Sequence, residues 1–375
     1  MPLRTARCTA SLLICVTLIA LSGCSSNDHV VCPGVGCCSS NSDACVAPQY
    51  VLANGPNQVS LFSVDPSSGA LGSPTTVTGP AQSLGMAVLD NQFVYVSDSG
   101  LSAPTAIDGW SLNIGTGALS NVPGSPFALG PLSLGTGLAA STTAQTLYVA
   151  DFLQIDALKA DATGALTVVP GSPYPSGNNL FLTTDISGQF LFPSENDPPG
   201  SIGAFTTDPT TGALTQVAGS PFQIDPSVPD VHPESIVVDS SGQFVYVVLV
   251  TSGQIAGFSI SRPSGTLTQI PGSPFTAGTT PLAVISAGRY LYVSNASDRT
   301  LSGYSVDPSS GVLTELAGSP FSINTGALAA NTSGTYLYAS VADEITTFRI
   351  DGTTGALTQV SSTPFSGASV LTFVQ

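Results

Sequence analysis

One unit of sequence is repeated seven times along the chain, and this repetition limits the folds that the chain can adopt. Its clearest copy is residues 292–321, YVSNASDRTLSGYSVDPSSGVLTELAGSPF. A β-branched run, a polar turn, a second alternating run and an Asp-Pro-Ser-Ser-Gly turn precede a third run that ends at Gly-Ser-Pro-Phe. Alternation with period two, with a turn about every eight to twelve residues, is typical of antiparallel strands. Each unit is therefore predicted to be a small antiparallel sheet.

Three landmarks recur in the copies. The aromatic residue that opens the first run is Tyr50, Tyr95, Tyr148, Phe192, Tyr246, Tyr292 and Tyr338. The turn glycine is Gly69, Gly117, Gly164, Gly212, Gly265, Gly311 and Gly355, spaced 44 to 53 residues apart. Every copy except the first ends in a Pro-aromatic pair, as at Pro320-Phe321. A period in the forties with about four strands per unit is typical of propeller blades. We therefore predict an all-β, seven-bladed β-propeller with four antiparallel strands per blade.

The fourth strand of a unit precedes its opening aromatic residue, as in residues 235–239 and 282–285. No such strand precedes Tyr50, but an equivalent run, residues 368–374 (ASVLTFV), follows the seventh copy. We predict that this C-terminal strand crosses back to the first blade and becomes its innermost strand. Such pairing closes the ring and removes two exposed strand edges.

The first residues have the pattern of a secretion signal, residues 1–23. Arg4 and Arg7 precede an apolar stretch that is too short for a comfortable membrane span. The sequence Leu-Ser-Gly-Cys that ends at Cys24 resembles a bacterial lipobox, in which cleavage leaves the cysteine as an acylated N-terminus. The resemblance implies a lipid-anchored protein of the bacterial cell envelope, and Ser25 after the cysteine favours the outer membrane. The alternative is an ordinary signal peptide with a chance cysteine.

Residues 24–48 are predicted to be a lipidated, cysteine-rich tether. Four further cysteines lie in it: Cys32, Cys37, Cys38 and Cys45. An even number of cysteines in an oxidising compartment indicates two disulfides, for which three connectivities are open. A metal site is the alternative, although the spacing matches no common zinc pattern. Residues 49–375 keep a uniform composition and are predicted to form one propeller domain.

The charge balance excludes some partners. Charged residues make up only 8% of the chain, and loss of Arg4 and Arg7 with the signal leaves five basic against 23 acidic residues. This excess argues against nucleic acid and against binding of anionic lipid by the protein surface. We therefore expect contact with a membrane through the lipid anchor only, and a monomer. Four of the acidic residues are predicted to have a structural role, because they fill the same turn position of their repeats: Asp65, Asp208, Asp307 and Asp351.

The repeats also resemble a known family. The tetrapeptides that begin at Tyr292 (YVSN), Tyr95 (YVSD) and Tyr148 (YVAD) are similar to the YVTN repeats of lactonase-type seven-bladed β-propellers, which include 6-phosphogluconolactonase-like proteins. The resemblance covers residues 49–375. It implies a ligand site at one mouth of the central channel and, in some members, hydrolysis or formation of a lactone. The motifs are packing and turn residues, so they indicate the fold more than the activity.

The repeat also predicts which face carries chemistry. Loops between second and third strands, and connections between blades, lie on one face of a propeller, and here they vary in sequence and are acidic. We call this group of side chains the acidic rim: Asp98, Asp108, Asp151, Glu195, Asp197, Asp225, Asp230, His232, Glu234, Asp298, Arg299, Asp343 and Glu344. The candidate binding residues are Asp98, Asp151, Glu195, Asp197, Asp298, Arg299, Asp343 and Glu344. Variable loops on a rigid scaffold are where sites are usually built.

The candidate catalytic residues are Asp230, His232 and Glu234. They lie in the longest connection between blades, just before an innermost strand, and His232 is the only histidine of the propeller. Hydrolysis of a lactone needs a base that activates water, and a histidine flanked by carboxylates can supply it. The alternative is a loop histidine that merely bonds a neighbouring blade.

Two kinds of ligand are disfavoured by the rim. A phosphorylated lactone requires converging basic residues, and Arg299 is the only one on the acidic rim. Pro193 should make an interior strand of the fourth blade bulge or end early, which places residues 195–200 in a loop whose carboxylates could hold Ca²⁺. No calcium-loop spacing supports this, and no cofactor is predicted.

Two functions remain open at this stage. The first is a non-enzymatic envelope propeller that binds a protein, peptide or glycan through the acidic rim. The second is a lactonase-like hydrolase that acts on an uncharged lactone at the channel mouth.

Overall fold

The computed structural model describes residues 29–30, 38–39, 47–98, 106–129, 136–224 and 231–375. The chain divides into two compact units, Met1–Cys45 and Val46–Gln375. In the first unit two short strands, His29–Val30 and Cys38–Ser39, pair antiparallel. The predicted signal, Cys24 and three cysteines of the tether (Cys32, Cys37 and Cys45) lie outside the described residues, so the anchor and the disulfides stay predictions. A search of the described residues for an apolar helix of membrane-spanning length found none.

The second unit consists of antiparallel sheets that follow the seven sequence repeats, with blades 3 and 4 joined in one nine-stranded sheet because Tyr174–Thr184 pairs with strands of both. Blade 1 contains Val370–Val374, Tyr50–Gly55, Gln58–Val64 and Leu71–Thr78; blade 2 contains Met86–Leu89, Phe93–Asp98, Ala106–Asn113, Ala118–Asn121 and Phe127–Ala128; blade 3 contains Leu138–Ser141, Thr146–Ala160 and Leu166–Val168. Blade 4 contains Tyr174–Thr184, Phe190–Glu195, Ser201–Ile202, Phe205–Thr207, Leu214–Gln216 and Phe222–Gln223; blade 5 contains Pro233–Val238, Phe244–Leu249, Gln254–Ile260, Leu267–Gln269 and Phe275–Thr276. Blade 6 contains Pro281–Ala287, Tyr290–Asn295, Thr300–Val306 and Leu313–Glu315; blade 7 contains Leu328–Ala330, Tyr336–Val341, Glu344–Ile350 and Leu357–Pro364.

The blades form a closed ring. The C-terminal strand Val370–Val374 pairs antiparallel with Tyr50–Gly55, as the sequence predicted, with Tyr50 opposite Val374. The first strand of each blade contacts the first strand of the next, and the circuit closes between Val370–Val374 and Met86–Leu89. The head and the tail of the second unit therefore share one sheet, in which the tail covers the inner edge of Tyr50–Gly55.

The hydrophobic core lies between the blades. Buried apolar side chains form seven clusters in the described residues, and each cluster joins two neighbouring blades. Trp110, for example, is 3% exposed and packs in the cluster between blades 1 and 2. The single tryptophan of the chain is therefore a packing residue. A blade can bury its two faces only against its neighbours, so stability is spread over seven interfaces.

A tyrosine hydroxyl links successive blades. Tyr95, Tyr148, Tyr246 and Tyr292 each donate a hydrogen bond to the carbonyl of the turn glycine in the next blade, at 2.6 to 2.9 Å. The glycine itself is required by shape, since Gly311 has a φ of +73° and a Cβ there would come within 2.5 Å of Phe244. The opening aromatic residue and the turn glycine of the repeat are therefore two halves of one interface.

The acidic residues at the turn position act on their own backbone. Asp307 accepts hydrogen bonds from the N–H groups of Ser309 and Ser310 at 3.0 and 2.8 Å. These bonds lower the pKa of Asp307, and the largest contribution comes from the N–H of Ser310. Asp65, Asp208 and Asp351 have the same arrangement. The structural role predicted for these four carboxylates is confirmed.

The register corrects one landmark of the first blade. In blade 2 Trp110 lies opposite Val94, one residue before Tyr95, whereas in blade 1 the corresponding Phe62 lies opposite Val51. Leu52 therefore occupies in blade 1 the position that Tyr95 occupies in blade 2. The prediction that Tyr50 is the opening aromatic residue of the first repeat was wrong. The sequence misled because Tyr50 stands two residues earlier, where other blades also carry an aromatic side chain.

Pro193 does not end its strand early, so this part of the sequence prediction was wrong, whereas the alternative of a bulge agrees with a register shift opposite Ser194 and Glu195. The strand continues to Glu195, and the neighbouring strand is broken instead, between Ile202 and Phe205. Proline has no N–H to donate, so the ladder loses a bond on the side of the third strand, while its pairing with Leu182 of the first strand is kept.

Candidate functional site

A cavity of about 410 Å³ lies where the seven first strands begin, around the axis of the ring. Every blade contributes to its lining. The lining residues are Leu84, Gly85, Met86, Gly137, Leu138, Phe181, Leu182, Glu234, Ser235, Leu282, Ala283, Val284, Gly326, Ala327, Leu328, Ser369, Val370 and Leu371. We call this space the channel cavity. Its size is in the range of small-molecule pockets.

Glu234 is the one ionisable residue among the described residues that line the channel cavity. The strand register shows which residues of other blades are equivalent to Glu234. Ile236 in blade 5, Met86 in blade 2 and Val284 in blade 6 each pair with the residue that follows the opening tyrosine of their blade. Two residues earlier in those blades stand Leu84 and Leu282, with exposed fractions of 52% and 41%. A carboxylate thus replaces an apolar side chain at the cavity mouth.

The electrostatics of Glu234 match this position. Burial raises the pKa of its carboxyl group, and the nearby His232 opposes part of that rise. His232 is exposed, has a φ of +38°, and its carbonyl accepts a hydrogen bond from Val250 N–H at 3.1 Å. The structure therefore places Glu234 in the lining of the cavity and His232 close enough to act on its charge, although His232 is not itself a lining residue. Asp230 lies outside the described residues.

Serines of the second strands shape the cavity wall, a role that the sequence reading missed. The hydroxyl of Ser97 accepts a hydrogen bond from Gly85 N–H, at 3.0 Å. Ser294 and Ser340 do the same for Ala283 and Ala327. Each bond holds the start of a first strand where it lines the cavity. The signal was present in the sequence, as the serine of the YVSN and YVSD motifs.

Several members of the acidic rim fasten loops. Glu195 is 4% exposed and accepts hydrogen bonds from Ser176, Gly177 and Ser201. Asn295 has the same place in blade 6, where it accepts from Gly278 N–H and donates to Ser302. Both side chains tie the connection between blades to the third strand.

Other rim carboxylates are held in a similar way. Asp197 accepts from Asn178 N–H and Asp298 from Thr279 N–H, while Asp343 accepts from the Ser366 hydroxyl. Asp151 is 3% exposed and accepts from the Gln154 amide. Asp98 is half-buried and lies near Asp108. The burial of Asp108, and to a smaller extent the charge of Asp98, raise the pKa of Asp108. Arg299 and Glu344 are exposed. Some side chains of the acidic rim therefore stabilise loops through hydrogen bonds, and others are exposed to solvent.

Peripheral grooves open beside these loops at the same structural place in three blades. Their volumes are about 510, 540 and 380 Å³, and they contain Asp197, Asp343 and Asp298, respectively. Two of them exceed the channel cavity in volume. Because the same gap recurs wherever a closing proline segment passes a loop, we attribute these grooves to the repeat itself. The channel cavity is the stronger candidate because all seven blades converge on it.

Three basic side chains, unlike Arg299, lie on the other face. Lys159 donates to the carbonyl of Ala144, Arg262 forms an ion pair with Asp185 at 2.7 Å, and Arg289 donates to the carbonyl of Thr353. These partners belong to turns opposite the cavity mouth. Among the described residues, no group of three or more His, Cys, Asp or Glu is arranged to hold a metal. The mouth can offer a ligand the carboxyl group of Glu234, and the exposed His232 lies close enough to influence that group.

Comparisons with known proteins agree with this architecture. The family model described as lactonase, 7-bladed beta-propeller, matches residues 199–327 and 274–373. Curated proteins gave no match to the sequence. Similar solved structures include a Bacteroides fragilis protein assigned as a 6-phosphogluconolactonase, with 18% identity, 90% of this chain and 99% of that chain covered, and a TM-score of 0.72. The periplasmic gluconolactonase of Pseudomonas aeruginosa has 19% identity, 88% and 99% coverage, and a TM-score of 0.68. Identities this low carry the fold and not the substrate. The chain folds as a seven-bladed β-propeller, and its residues 199–373 match the lactonase family model.

Proposed function

We propose that the protein is a hydrolase that opens an uncharged lactone at the mouth of the channel cavity. The observation that carries this proposal is Glu234, a carboxyl group with a raised pKa at the mouth of an otherwise apolar cavity. A carboxylate with a raised pKa is a stronger base than an ordinary one, and apolar surroundings strengthen its electrostatic interactions. The gluconolactonase named above has the same fold, which supports lactone chemistry by analogy.

The residues at the mouth can divide the reaction between them. Glu234 accepts a proton from a water molecule while the water oxygen bonds to the lactone carbonyl carbon. His232 is close enough to influence the charge of Glu234 and can donate a hydrogen bond to the oxygen on which negative charge develops. The ring C–O bond then breaks, and the proton held by Glu234 passes to the leaving alkoxide. The product is an open-chain hydroxy acid.

The charge distribution favours a neutral substrate. Arg299 is the only basic residue on the acidic rim, whereas Lys159, Arg262 and Arg289 are engaged on the opposite face. A phosphoryl group would therefore meet several carboxylates and a single guanidinium, without the converging cations that phosphate recognition needs. No metal or other cofactor enters the proposed reaction.

We further propose that the enzyme acts in the bacterial cell envelope, held at the outer membrane by lipid on Cys24. The tether would carry two disulfides among Cys32, Cys37, Cys38 and Cys45. A Cys24→Ser variant should leave the membrane fraction and lose label from a radioactive fatty acid. Retention of both label and membrane association in that variant would contradict the anchor.

A second candidate function is binding through the exposed part of the acidic rim. Asp197, Asp298, Arg299, Asp343 and Glu344 are exposed, and none of them lines the channel cavity. A protein, peptide or glycan partner could be recognised there without any reaction. Envelope extracts passed over the immobilised protein, with Asp298→Asn and Glu344→Gln as the weakened form, would reveal such a partner.

An assay with a panel of neutral and phosphorylated lactones tests the enzymatic proposal. Hydrolysis is followed as acid release for the native protein, Glu234→Gln and His232→Ala. We expect Glu234→Gln to lose at least about a hundredfold in kcat, typical of a removed general base, and kcat to rise with pH as the Glu234 carboxyl deprotonates. Glu344→Gln, an exposed rim change of the same chemistry, is the matched control. Equal activity of Glu234→Gln and the native protein would refute the proposal.

A further inference from the structure

The wall of the channel cavity is mostly apolar, which suits an alkyl chain better than a sugar. Met86, Leu182, Val284, Leu328 and Leu371 are each 6 to 8% exposed and form its deeper part. A sugar lactone brings several hydroxyl groups, and each one that is buried without a hydrogen-bond partner weakens binding. The depth of the cavity therefore disfavours a polyhydroxylated ring.

The polar atoms of the wall are already used within the protein. Ser235 accepts a hydrogen bond from Val284 N–H at 3.2 Å, and the Ser369 hydroxyl bonds the side chain of Asn54 at 3.2 Å. Among the strand starts, Gly85 N–H is held by Ser97 and Gly137 N–H by the carbonyl of Leu180. These four groups already have partners inside the protein, so the apolar side chains form most of the surface that a ligand would meet.

We infer that the channel cavity holds the alkyl chain of the substrate, so that the substrate class is a lactone with an apolar tail whose ring rests at Glu234. The position of the lactone ring in this inference rests on the proposed hydrolysis, and the position of the alkyl tail rests on the apolar wall of the cavity. Its physical basis is the hydrophobic effect: each methylene buried in the cavity should improve binding about fourfold. The gain should stop where the chain fills the available 410 Å³.

Gly326 gives a specific way to fill the cavity. It occupies the position of Leu84, Glu234 and Leu282 in blade 7, and a Cβ there would meet only Ser340 Oγ, at 3.7 Å. The chain itself therefore shows that leucine is accepted at this layer. Gly326→Leu should occupy tail space, and Gly326→Ala should do so to a smaller extent. Gly352→Leu is the matched control, because Gly352 is exposed and a Cβ there would meet nothing within 4 Å.

The experiment combines binding and turnover on one chain-length series. γ-Lactones with butyl, hexyl and octyl side chains, and D-glucono-δ-lactone, are assayed for hydrolysis. Tetrahydrofurans with the same side chains, which cannot be hydrolysed, are titrated by calorimetry. We expect affinity and kcat/KM to rise with chain length, and Gly326→Leu to lose at least about tenfold for the octyl compounds while Gly352→Leu does not change. Thermal unfolding of each variant verifies that it is folded.

The outcomes separate the two proposals. Affinity that rises with chain length but without hydrolysis supports the apolar tail site and overturns the proposed reaction. Hydrolysis that does not depend on chain length, or that prefers the sugar lactone, supports the reaction and overturns the tail site. Loss of the chain-length effect in Gly326→Leu, graded through Gly326→Ala, supports the placement of the tail; an unchanged effect in both variants overturns it.

Discussion

The hydrogen bond from a buried tyrosine to the next blade can be tested within one protein, because the repeat supplies its own control. Tyr95, Tyr148, Tyr246 and Tyr292 are 0% exposed and donate to a turn glycine carbonyl at 2.6 to 2.9 Å. Tyr338 is equally buried, but its hydroxyl has no hydrogen-bond partner among the described residues. The same Tyr→Phe change therefore removes a bond in four blades and removes only an unsatisfied hydroxyl in the blade of Tyr338.

The expected magnitudes follow from burial. Tyr292→Phe leaves the carbonyl of Gly355 without its donor, and a buried polar group in that state costs about 1 to 3 kcal/mol. Tyr338→Phe should be neutral or slightly stabilising, because a buried hydroxyl without a partner is itself unfavourable. Urea unfolding gives the free energy of unfolding of each variant, and the slope against urea concentration should stay constant. If Tyr338→Phe destabilised the protein as much as Tyr292→Phe, the effect would come from ring packing and the reasoning would be refuted.

Three further predictions use other parts of the ring. Deletion of residues 370–375 removes the strand that completes blade 1, with Leu371 6% and Val374 1% exposed, and should abolish cooperative unfolding; a truncated protein that melts like the intact one would contradict the closure. Glu234→Gln should raise the free energy of unfolding at pH 8 and leave it unchanged well below pH 4.5, the ordinary pKa of a glutamate carboxyl group. The raised pKa means that the charged carboxylate is disfavoured in the folded state, so its cost to stability appears only as the pH rises. An equal effect at both pH values would exclude this cause. Gly311→Ala should cost more than about 1 kcal/mol, since the positive φ and the contact with Phe244 both oppose a Cβ, whereas Gly352→Ala should change the stability little.

Much of the architecture was predictable because it is encoded locally. Alternation with period two, the turn formed by Asp307 and Gly311, and the count of repeats predicted the blades, and the surplus strand at the C-terminus predicted the ring closure. Each of these signals is a pattern within a few residues, or a repeat of such a pattern. The error at Tyr50 arose where two aromatic residues in alternate positions were equivalent in the sequence, and only the pairing with Phe62 distinguished them.

The candidate site was less predictable, because it depends on which residues meet across different blades. The sequence placed Glu195 and Glu234 on the same acidic rim, and both are acidic residues beside a strand end. The structure places the first under three hydrogen bonds from its own loops and the second at the mouth of an apolar cavity.

The sequence by itself therefore determined the number of blades, the turn chemistry and the pairing of the chain ends, since strand alternation and turn formation are local properties of the chain. The tertiary structure alone decided which acidic residue faces the channel and that the channel wall is apolar. The physical reason is that the burial of a side chain, and hence its pKa, is set by neighbours that are about 50 or more residues away in the sequence and come together only when the ring closes.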